Sequence, residues 1–203
     1  MEKLDIAFYD RDAIVVAKEL LGKRIVHQQK GHIVSARIVE VEAYMGIGDQ
    51  ASHAYNGRRT PRVEVMYGDP GFAYVFSIYG LHSCFNVVSN KKGNPQAVLI
   101  RAVEPVQGIE FMAMNRFEKS LDQLSQRQIV HLTNGPGKLC KALGIHIEAN
   151  GINLQGDEIY LVDDAWNDFN MVSTKRVGID YAGEAKDYLW RFYIQDNQYV
   201  SVK

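Results

Sequence analysis

Two acidic residues, Glu40 and Glu42, follow directly after the alternating apolar residues Val34, Ala36 and Ile38. Successive side chains of a β-strand point to opposite faces, so this spacing predicts that both carboxylates lie on the face that Ile38 buries. A buried carboxylate is costly without partners, and a positioned carboxylate can act as a general base. The segment therefore indicates a site in which a Glu activates water, while a structural ion pair would explain the same pattern.

Flat and cationic side chains that could complete such a site occur further along the chain. Tyr44 and His53 could wall a pocket for a planar ligand, or could be ordinary core residues. Arg101 stands inside the apolar run 97–103 and needs a partner if that strand is buried. One of the two carboxylates, a ligand phosphate or the neighbouring Glu104 would serve.

A second group of residues could bind phosphates. Arg58, Arg59 and Arg62 fall within a short segment that also contains Gly57 and Pro61. Such a cluster can neutralise a nucleic-acid backbone without reading its sequence, although charge runs are usually solvated loops.

Two turn-like segments are further candidates. Tyr79 falls at the tip of a predicted hairpin, where it could be a wedge that enters a base stack or a ring folded onto the core. The Gly-rich helix start 134–138 could hold a phosphate with Lys138, but it does not match the P-loop pattern, and plain helix capping explains it as well.

Composition limits the function classes. The 203-residue chain is 46% hydrophobic, which argues against disorder, and its net charge of −1 is unexpected for a nucleic-acid-binding domain. Its two cysteines, Cys84 and Cys140, are far apart and exclude a disulfide framework. With no signal-peptide pattern and no apolar run of membrane-span length, we expect a cytoplasmic protein.

Several kinds of chemistry are not suggested by the sequence. The chain shows neither metal-ligand spacing nor the G-x-S-x-G or G-x-G-x-x-G patterns, so we expect no metal and no cofactor. Acid–base catalysis by a carboxylate is then the economical enzymatic interpretation.

The elements that must position these residues alternate strands with a few helices. Hairpin-linked strands outnumber helices, which predicts one α+β domain over residues 1–203: a compact, mostly antiparallel curved sheet with flanking helices and a protruding β-hairpin. The predicted helices cover residues 10–22, 105–117 and 134–144. The predicted strands cover residues 24–27, 32–42, 72–79, 81–89, 97–103, 159–162, 175–177, 191–194 and 199–202.

Five segments, in order from about residue 5 to residue 202, resemble the alkyladenine (3-methyladenine) DNA glycosylase family. They read ARIVEVEAYMGIGDQASHAYNGRRTPR, GFAYVFSIYGLHSCFNVVS, AVLIRAVEP, NGPGKLCKALGI and RVGIDYAGEAKDYLWRFYI. The resemblance implies a monofunctional glycosylase of base excision repair. Such an enzyme flips alkylated or deaminated purines out of duplex DNA and hydrolyses the N-glycosidic bond without lyase activity.

The resemblance also implies residue roles. Glu42 matches the carboxylate that activates water, and Arg101 matches an active-site Arg near it. Tyr44 and His53 match residues that line the base pocket. Phe76 stands where the family usually has Tyr, which keeps the flat face and loses a hydroxyl.

Two further roles follow from the resemblance. Asn86 matches the residue thought to exclude guanine, and Tyr79 matches the intercalating wedge. We expect Arg58, Arg59, Arg62 and Lys138 to contact the DNA backbone.

The implied partner is double-stranded DNA that contains a damaged purine. We expect the protein to bind this DNA as a monomer, to have no membrane partner, and to be located in the cytoplasm near the bacterial nucleoid. A catalytically inert nucleic-acid-binding module on the same fold is the alternative, and a hydrolase of free nucleosides is a third hypothesis. If DNA is the substrate, we expect the cations to gather on one face. These cations are Arg58, Arg59, Arg62, Lys91, Lys92, Lys138, Lys141, Lys175 and Arg176.

Overall fold

The computed structural model describes residues 1–29, 31–78, 80 and 82–203, and in these residues nine strands form one sheet. The strands are β1 (Glu2–Lys3), β2 (Arg24–Gln29), β3 (His32–Tyr44), β4 (Ala73–Ile78), β5 (His82–Ser89), β6 (Gln96–Gln107), β7 (Ile159–Asp163), β8 (Met171–Thr174) and β9 (Arg191–Ile194). The helices are α1 (Ile6–Tyr9), α2 (Ala13–Leu20), α3 (Ile109–Phe117), α4 (Gln126–Val130) and α5 (Pro136–Leu143).

All described strand pairs are antiparallel, in the order β1-β7-β2-β3-β6-β5-β4, and β9 pairs with both β3 and β8. This confirms the predicted α+β class with a mostly antiparallel sheet. The β4–β5 hairpin is present, but its predicted tip residue Tyr79 lies outside the described residues. None of the described helices has the length and hydropathy needed to cross a membrane.

Helices α2, α3 and α5 cover one face of the sheet. Helix α2 begins after Asp12, whose side chain accepts a hydrogen bond from the N–H of Ile14, as an N-cap residue should. Helix α5 begins with Pro136 at its first turn and ends at Gly144, which has a left-handed φ of 68°. Fully burying one of the leucines on its inner face, such as Leu139, contributes about 1.5–3 kcal/mol.

A β-bulge in β3 overturns one sequence prediction. Ile38 pairs with Val103, but the next pair is Glu40 with Ala102, so Val39 is an extra residue. Ile38 and Val39 both belong to the helix-covered core. An extra residue shifts the alternation by one, and the residues that follow on that face are odd-numbered. The prediction that the two carboxylates share the face of Ile38 is therefore wrong.

A second irregularity lies opposite, in β6. Glu40 pairs with Ala102 and Val41 pairs with Ile100, which leaves Arg101 as the extra residue of its strand. Bulges bend a strand locally and redirect side chains, often beside active sites. Here the bulge brings the Arg101 side chain to the two carboxylates of β3.

The predicted start of the helix at 105–117, which corresponds to α3, is also wrong. Strand β6 continues through Pro105, which pairs with Ala36 next to a break in register, where a missing N–H is tolerated. The helix begins only after Gly108, whose φ is 73°. A Cβ at Gly108 would lie 2.7 Å from the carbonyl oxygen of Ile33, so this turn requires glycine.

Two predicted C-terminal strands, 175–177 and 199–202, are not strands. The N–H of Val177 donates to Oε1 of Glu42 at 2.7 Å, and the N–H of Ser201 donates to Oε2 of Glu40 at 2.6 Å. Each amide is therefore bonded to a carboxylate instead of to a neighbouring strand. Strand β8 lies just before the first of these segments.

Candidate active site

A cleft of about 450 Å³ lies on the face of the sheet opposite the helices. Alternate residues of three neighbouring strands form its floor, because period-two alternation turns them away from the core. Loops at residues 51–66 and 177–181 supply most of the wall, together with Tyr44 of β3 and Pro136 at the start of α5. The floor residues are Tyr74, Phe76 and Ile78 of β4, Cys84 and Asn86 of β5, and Ala97, Leu99 and Arg101 of β6.

Glu42 lies beneath this cleft, with its carboxylate fully buried. The hydroxyl of Tyr44 donates to Oε2 at 2.9 Å, and the N–H of Val177 donates to Oε1 at 2.7 Å. Nη1 of Arg101 lies 3.3 Å from the same Oε1 atom. The charge is thus compensated by three donors, as a buried carboxylate requires.

Arg101 bridges both acidic residues of β3. Its Nε donates to Oε1 of Glu40 at 3.1 Å while Nη1 faces Glu42. Glu40 also accepts from Nη1 of Arg191 at 2.8 Å and from the N–H and hydroxyl of Ser201 at 2.6 and 2.9 Å. Desolvation by burial lowers the pKa of Arg101, but the nearby carboxylates outweigh it and the pKa is raised overall.

Tyr44 connects the carboxylate to the cleft. Burial, and then the negative charge of Glu42, raise the pKa of the Tyr44 hydroxyl well above its ordinary value, so it stays a proton donor. The guanidinium of Arg176 lies 4.8 Å from the centre of the Tyr44 ring. Arg176 is itself held by Asp49 through two hydrogen bonds of 2.6 and 2.8 Å, and both side chains are fully buried.

Sequence reasoning missed Asp49, and it misplaced Arg176 among the surface cations. An Asp in a Gly-rich loop is ordinarily a turn residue, so the sequence carried no signal of the buried pair. The expectation that the cations form one exposed face fails for Arg176. Lys92 and Lys175 are exposed but form ion pairs with Asp69 and Asp187.

Two of the predicted rings, His53 and Phe76, come together on one side of the cleft. His53 lies edge-on to Phe76, with ring centres 4.6 Å apart, and its Nδ1 is 2.8 Å from the hydroxyl of Tyr74. Burial, and then the positive charges of Arg62 and Arg58, lower the pKa of His53 to about 4. The imidazole is therefore neutral at pH 7.

Asn86 is fixed in the cleft floor. It pairs in register with Tyr74, and its Nδ2 donates to the carbonyl oxygen of Tyr74 at 2.9 Å. Only 3% of the residue is exposed. The amide is thus anchored by its donor end, and its position in the floor is set by the strand register.

The predicted backbone-binding cations occupy different environments. Arg58 is exposed, and Arg59 forms an ion pair with Glu64. Arg62 lines the cleft, with its guanidinium 4.9 Å from the centre of the Phe76 ring. Lys138 is half-buried, and its Nζ donates to Oδ1 of Asn134 at 2.8 Å within the same helix start.

The cleft thus combines a compensated buried carboxylate, aromatic walls and a bridging Arg. In the described part of the chain, no group of three His, Cys, Asp or Glu side chains is arranged to hold a metal ion. The arrangement can hold a planar ring beside a general base.

Comparison with known proteins matches the chain to one family over nearly its whole length. A family model described as methylpurine-DNA glycosylase matches residues 7–198. A protein of Desulfitobacterium hafniense is 61% identical over the full length of both chains. Proteins of Clostridium acetobutylicum and Alkaliphilus oremlandii are 57% and 53% identical, and at least 98% of each chain is covered. All three carry the provisional name 3-methyladenine DNA glycosylase.

Proposed function

This chain belongs to the methylpurine-DNA glycosylase family, and on that premise we propose that it is a monofunctional DNA glycosylase of base excision repair. It flips alkylated or deaminated purines out of duplex DNA, among them 3-methyladenine, 7-methylguanine, hypoxanthine and ethenoadenine. It then hydrolyses the N-glycosidic bond. The observation that carries the proposal is the buried carboxylate of Glu42 beneath a ring-lined cleft of about 450 Å³.

Glu42 is the general base in this proposal. It takes a proton from a water that attacks the sugar carbon as the glycosidic bond breaks. The sugar then carries oxocarbenium-like positive charge, which a fixed carboxylate stabilises. Its hydrogen bonds to Tyr44 and Val177 and its ion pair with Arg101 hold it in one orientation before the substrate arrives.

One carboxylate suffices when the damaged base is a cationic alkylated purine. Most sugar hydrolases need a second carboxyl group to protonate the leaving group. An N3- or N7-alkylated purine is already cationic and leaves without that help. Neutral hypoxanthine lacks this advantage, so protonation of the leaving base is expected to limit its release.

The flipped base lies among Tyr44, His53 and Phe76. Flat aromatic faces stabilise a stacked base by about 1–3 kcal/mol each. Phe76 supplies such a face without a hydroxyl, and its edge contact with the neutral imidazole of His53 keeps both rings in place. Asn86 disfavours unmodified guanine by clashing with its exocyclic amine. In 7-methylguanine, the positive charge strengthens the contact with the aromatic rings and offsets the same clash.

The DNA outside the pocket is held by other residues. Extruding a nucleotide costs a few kcal/mol of stacking and pairing, less at a lesion. Tyr79 offsets part of this cost by filling the vacated stack. Arg58, which is exposed beside the cleft loop, contacts the phosphates together with Arg59, Arg62 or Lys138. The cleft is formed within one chain, so a monomer is sufficient, and the nucleoid is its place of action.

Base release tests the catalytic role. We expect the wild-type protein to release base from duplexes that carry one hypoxanthine, ethenoadenine or 3-methyladenine. Glu42→Gln should bind the same duplexes and release almost nothing, because it lacks the base. Undiminished release by this variant would refute the mechanism. Lesion binding without release by the wild-type protein would identify a nucleic-acid-binding module instead.

The wedge is tested separately. Tyr79→Ala should bind lesion duplexes more weakly than the wild-type protein, because the vacated stack is left empty. Tyr79→Phe serves as the matched control, since it keeps the ring. Equal lesion affinity of the wild-type and alanine proteins would exclude an intercalating role.

A further inference from the structure

Glu40 is a buried carboxylate that lies next to the proposed active site and is not used by the mechanism. Its side chain is fully buried. It accepts hydrogen bonds from Nε of Arg101, from Nη1 of Arg191, and from both the N–H and the hydroxyl of Ser201. The donors come from three separate parts of the chain, β6, β9 and the turn at Ser201.

The geometry of Arg101 depends on this carboxylate. A guanidinium group is planar and rigid, so fixing one edge fixes the direction of the remaining N–H groups. Glu40 binds Nε at 3.1 Å, while Nη1 lies 3.3 Å from Oε1 of Glu42. Nη2 reaches the hydroxyl of Ser201 at 3.3 Å. Without Glu40, the guanidinium would keep only its two longer contacts, at 3.3 Å to Glu42 and 3.3 Å to Ser201.

The balance of charge among the buried acidic and basic side chains also supports a link between Glu40 and the position of Arg101. Two carboxylates, Glu40 and Glu42, face two guanidinium groups, Arg101 and Arg191. Arg191 binds Glu40 at 2.8 Å, closer than Arg101 does. Glu40 is therefore compensated largely by Arg191, and Arg101 remains available to Glu42 and to the cleft that it lines.

We propose that Glu40 is the positioning residue of the site: it holds the Arg101 guanidinium against Glu42, and Ser201 completes that hold. This inference rests on the proposed function, because Glu40 acquires its role through Glu42 and Arg101. Glu40 itself is fully buried and is not one of the residues that line the cleft.

The first experiment measures single-turnover base release by Glu40→Gln. A misplacement of about 1 Å in a catalytic group can cost about 100-fold in rate. We therefore expect a loss of about 100-fold in the rate of release. Lesion affinity should be kept, because the aromatic walls of the cleft are untouched.

The pH dependence of release separates positioning from general structural damage. If the guanidinium of Arg101, which lies 3.3 Å from Glu42, moves away in Glu40→Gln, the acid limb of the pH–rate profile should move to higher pH. Loss of the Glu40 charge with Arg101 still in place would move the acid limb to lower pH. General damage would lower the rate by one factor at every pH. The titratable or charged groups around the two carboxylates are Tyr44 of β3, Cys84 of β5, Arg101 of β6, Arg191 of β9 and Arg176.

Ser201→Ala keeps the inference testable if the first variant does not fold. It removes one hydrogen bond to Glu40 and leaves the backbone N–H and the charge in place. We expect about tenfold slower release, the factor that corresponds to one hydrogen bond to a charged group, and an unmoved acid limb. Glu104→Gln is the matched control on β6, since Glu104 binds Asn197 and should affect neither property.

The outcomes distinguish this inference from the proposed function. If the wild-type protein releases no base from any lesion duplex, the proposed function fails. If the wild-type protein is active and both Glu40→Gln and Ser201→Ala match its rate and pH profile, the positioning role alone is refuted. A rate loss in Glu40→Gln with an acid limb that is unmoved, or that moves to lower pH, also refutes the positioning role.

Discussion

The buried pair of Asp49 and Arg176 should dominate the stability of the loop that follows Tyr44 and carries His53. Both side chains are completely removed from solvent, and two hydrogen bonds of 2.6 and 2.8 Å join them. Asp49 also accepts hydrogen bonds from the N–H groups of Met45 and Ala51. The perturbation is Asp49→Asn, which keeps the shape and removes the negative charge.

The expected effect follows from this burial. Removing one partner of a buried ion pair leaves the other charge uncompensated, which typically costs about 3–5 kcal/mol. That is a large part of a total folding stability of about 5–15 kcal/mol. In a chain of this length, each kcal/mol of destabilisation lowers the melting temperature by about 2–4 °C. The melting temperature of Asp49→Asn should therefore be roughly 6–20 °C below that of the wild-type protein.

Urea unfolding followed by circular dichroism measures this change directly. The free energy of unfolding of Asp49→Asn is compared with that of Asp187→Asn, whose pair with Lys175 is exposed and should contribute at most about 1 kcal/mol. The double variant Asp49→Asn with Arg176→Met should recover much of the loss. If Asp49→Asn lowers the free energy of unfolding by less than about 1 kcal/mol, and its dependence on urea concentration keeps the same slope, the assignment of a buried charge pair is refuted.

Other consequences can be measured just as directly. Tyr44→Phe removes one hydrogen bond to Glu42 and keeps the ring. Single-turnover base release should therefore slow by about 10–100-fold, while lesion affinity stays unchanged. Equal release rates in the variant and the wild-type protein would contradict the contact. Burial and neighbouring arginines lower the pKa of His53 to about 4, below the ordinary value of 6.5. The unfolded chain therefore takes up a proton between pH 6.5 and 4 that the folded chain does not, and stability falls as pH is lowered through this window. In His53→Asn, the free energy of unfolding should fall less steeply over that pH window than in the wild-type protein. If the two proteins show parallel curves of unfolding free energy against pH, His53 is not the cause of the fall. Burial raises the pKa of Cys84 to about 11 and that of Cys140 well above its ordinary value, so neither thiol should react with Ellman's reagent at pH 8 before unfolding. Rapid reaction of the native protein would show that a thiol is accessible.

The family resemblance pointed to Phe76 and Asn86, and strand alternation explains why both line the cleft. Period two turns them, together with the unpredicted Tyr74, away from the core residues of the same strands. The helix from Pro136 to Gly144 was also predictable, because Pro and Gly mark its ends by local chemistry.

The parts that depend on distant partners were not predictable. The bulge at Val39 is a property of the β3–β6 pair, and one extra residue reversed the expected face of both carboxylates. The segments around Val177 and Ser201 alternate like strands, yet their amides bind side chains far away in sequence. Propensity describes neighbours along the chain and carries no information about such contacts.

The amide of Ser201 has a consequence for how an active molecule arises. It binds a carboxylate 161 positions earlier in the chain, so Glu40 leaves the ribosome long before its last partner does. Contacts of such separation form late, after the loop between them has been closed. A chain interrupted just before Ser201 still contains Glu42 and the cleft residues, but its Glu40 lacks the two hydrogen bonds that Ser201 donates. On the proposed positioning role, such a chain should release bases more slowly than one that contains Ser201.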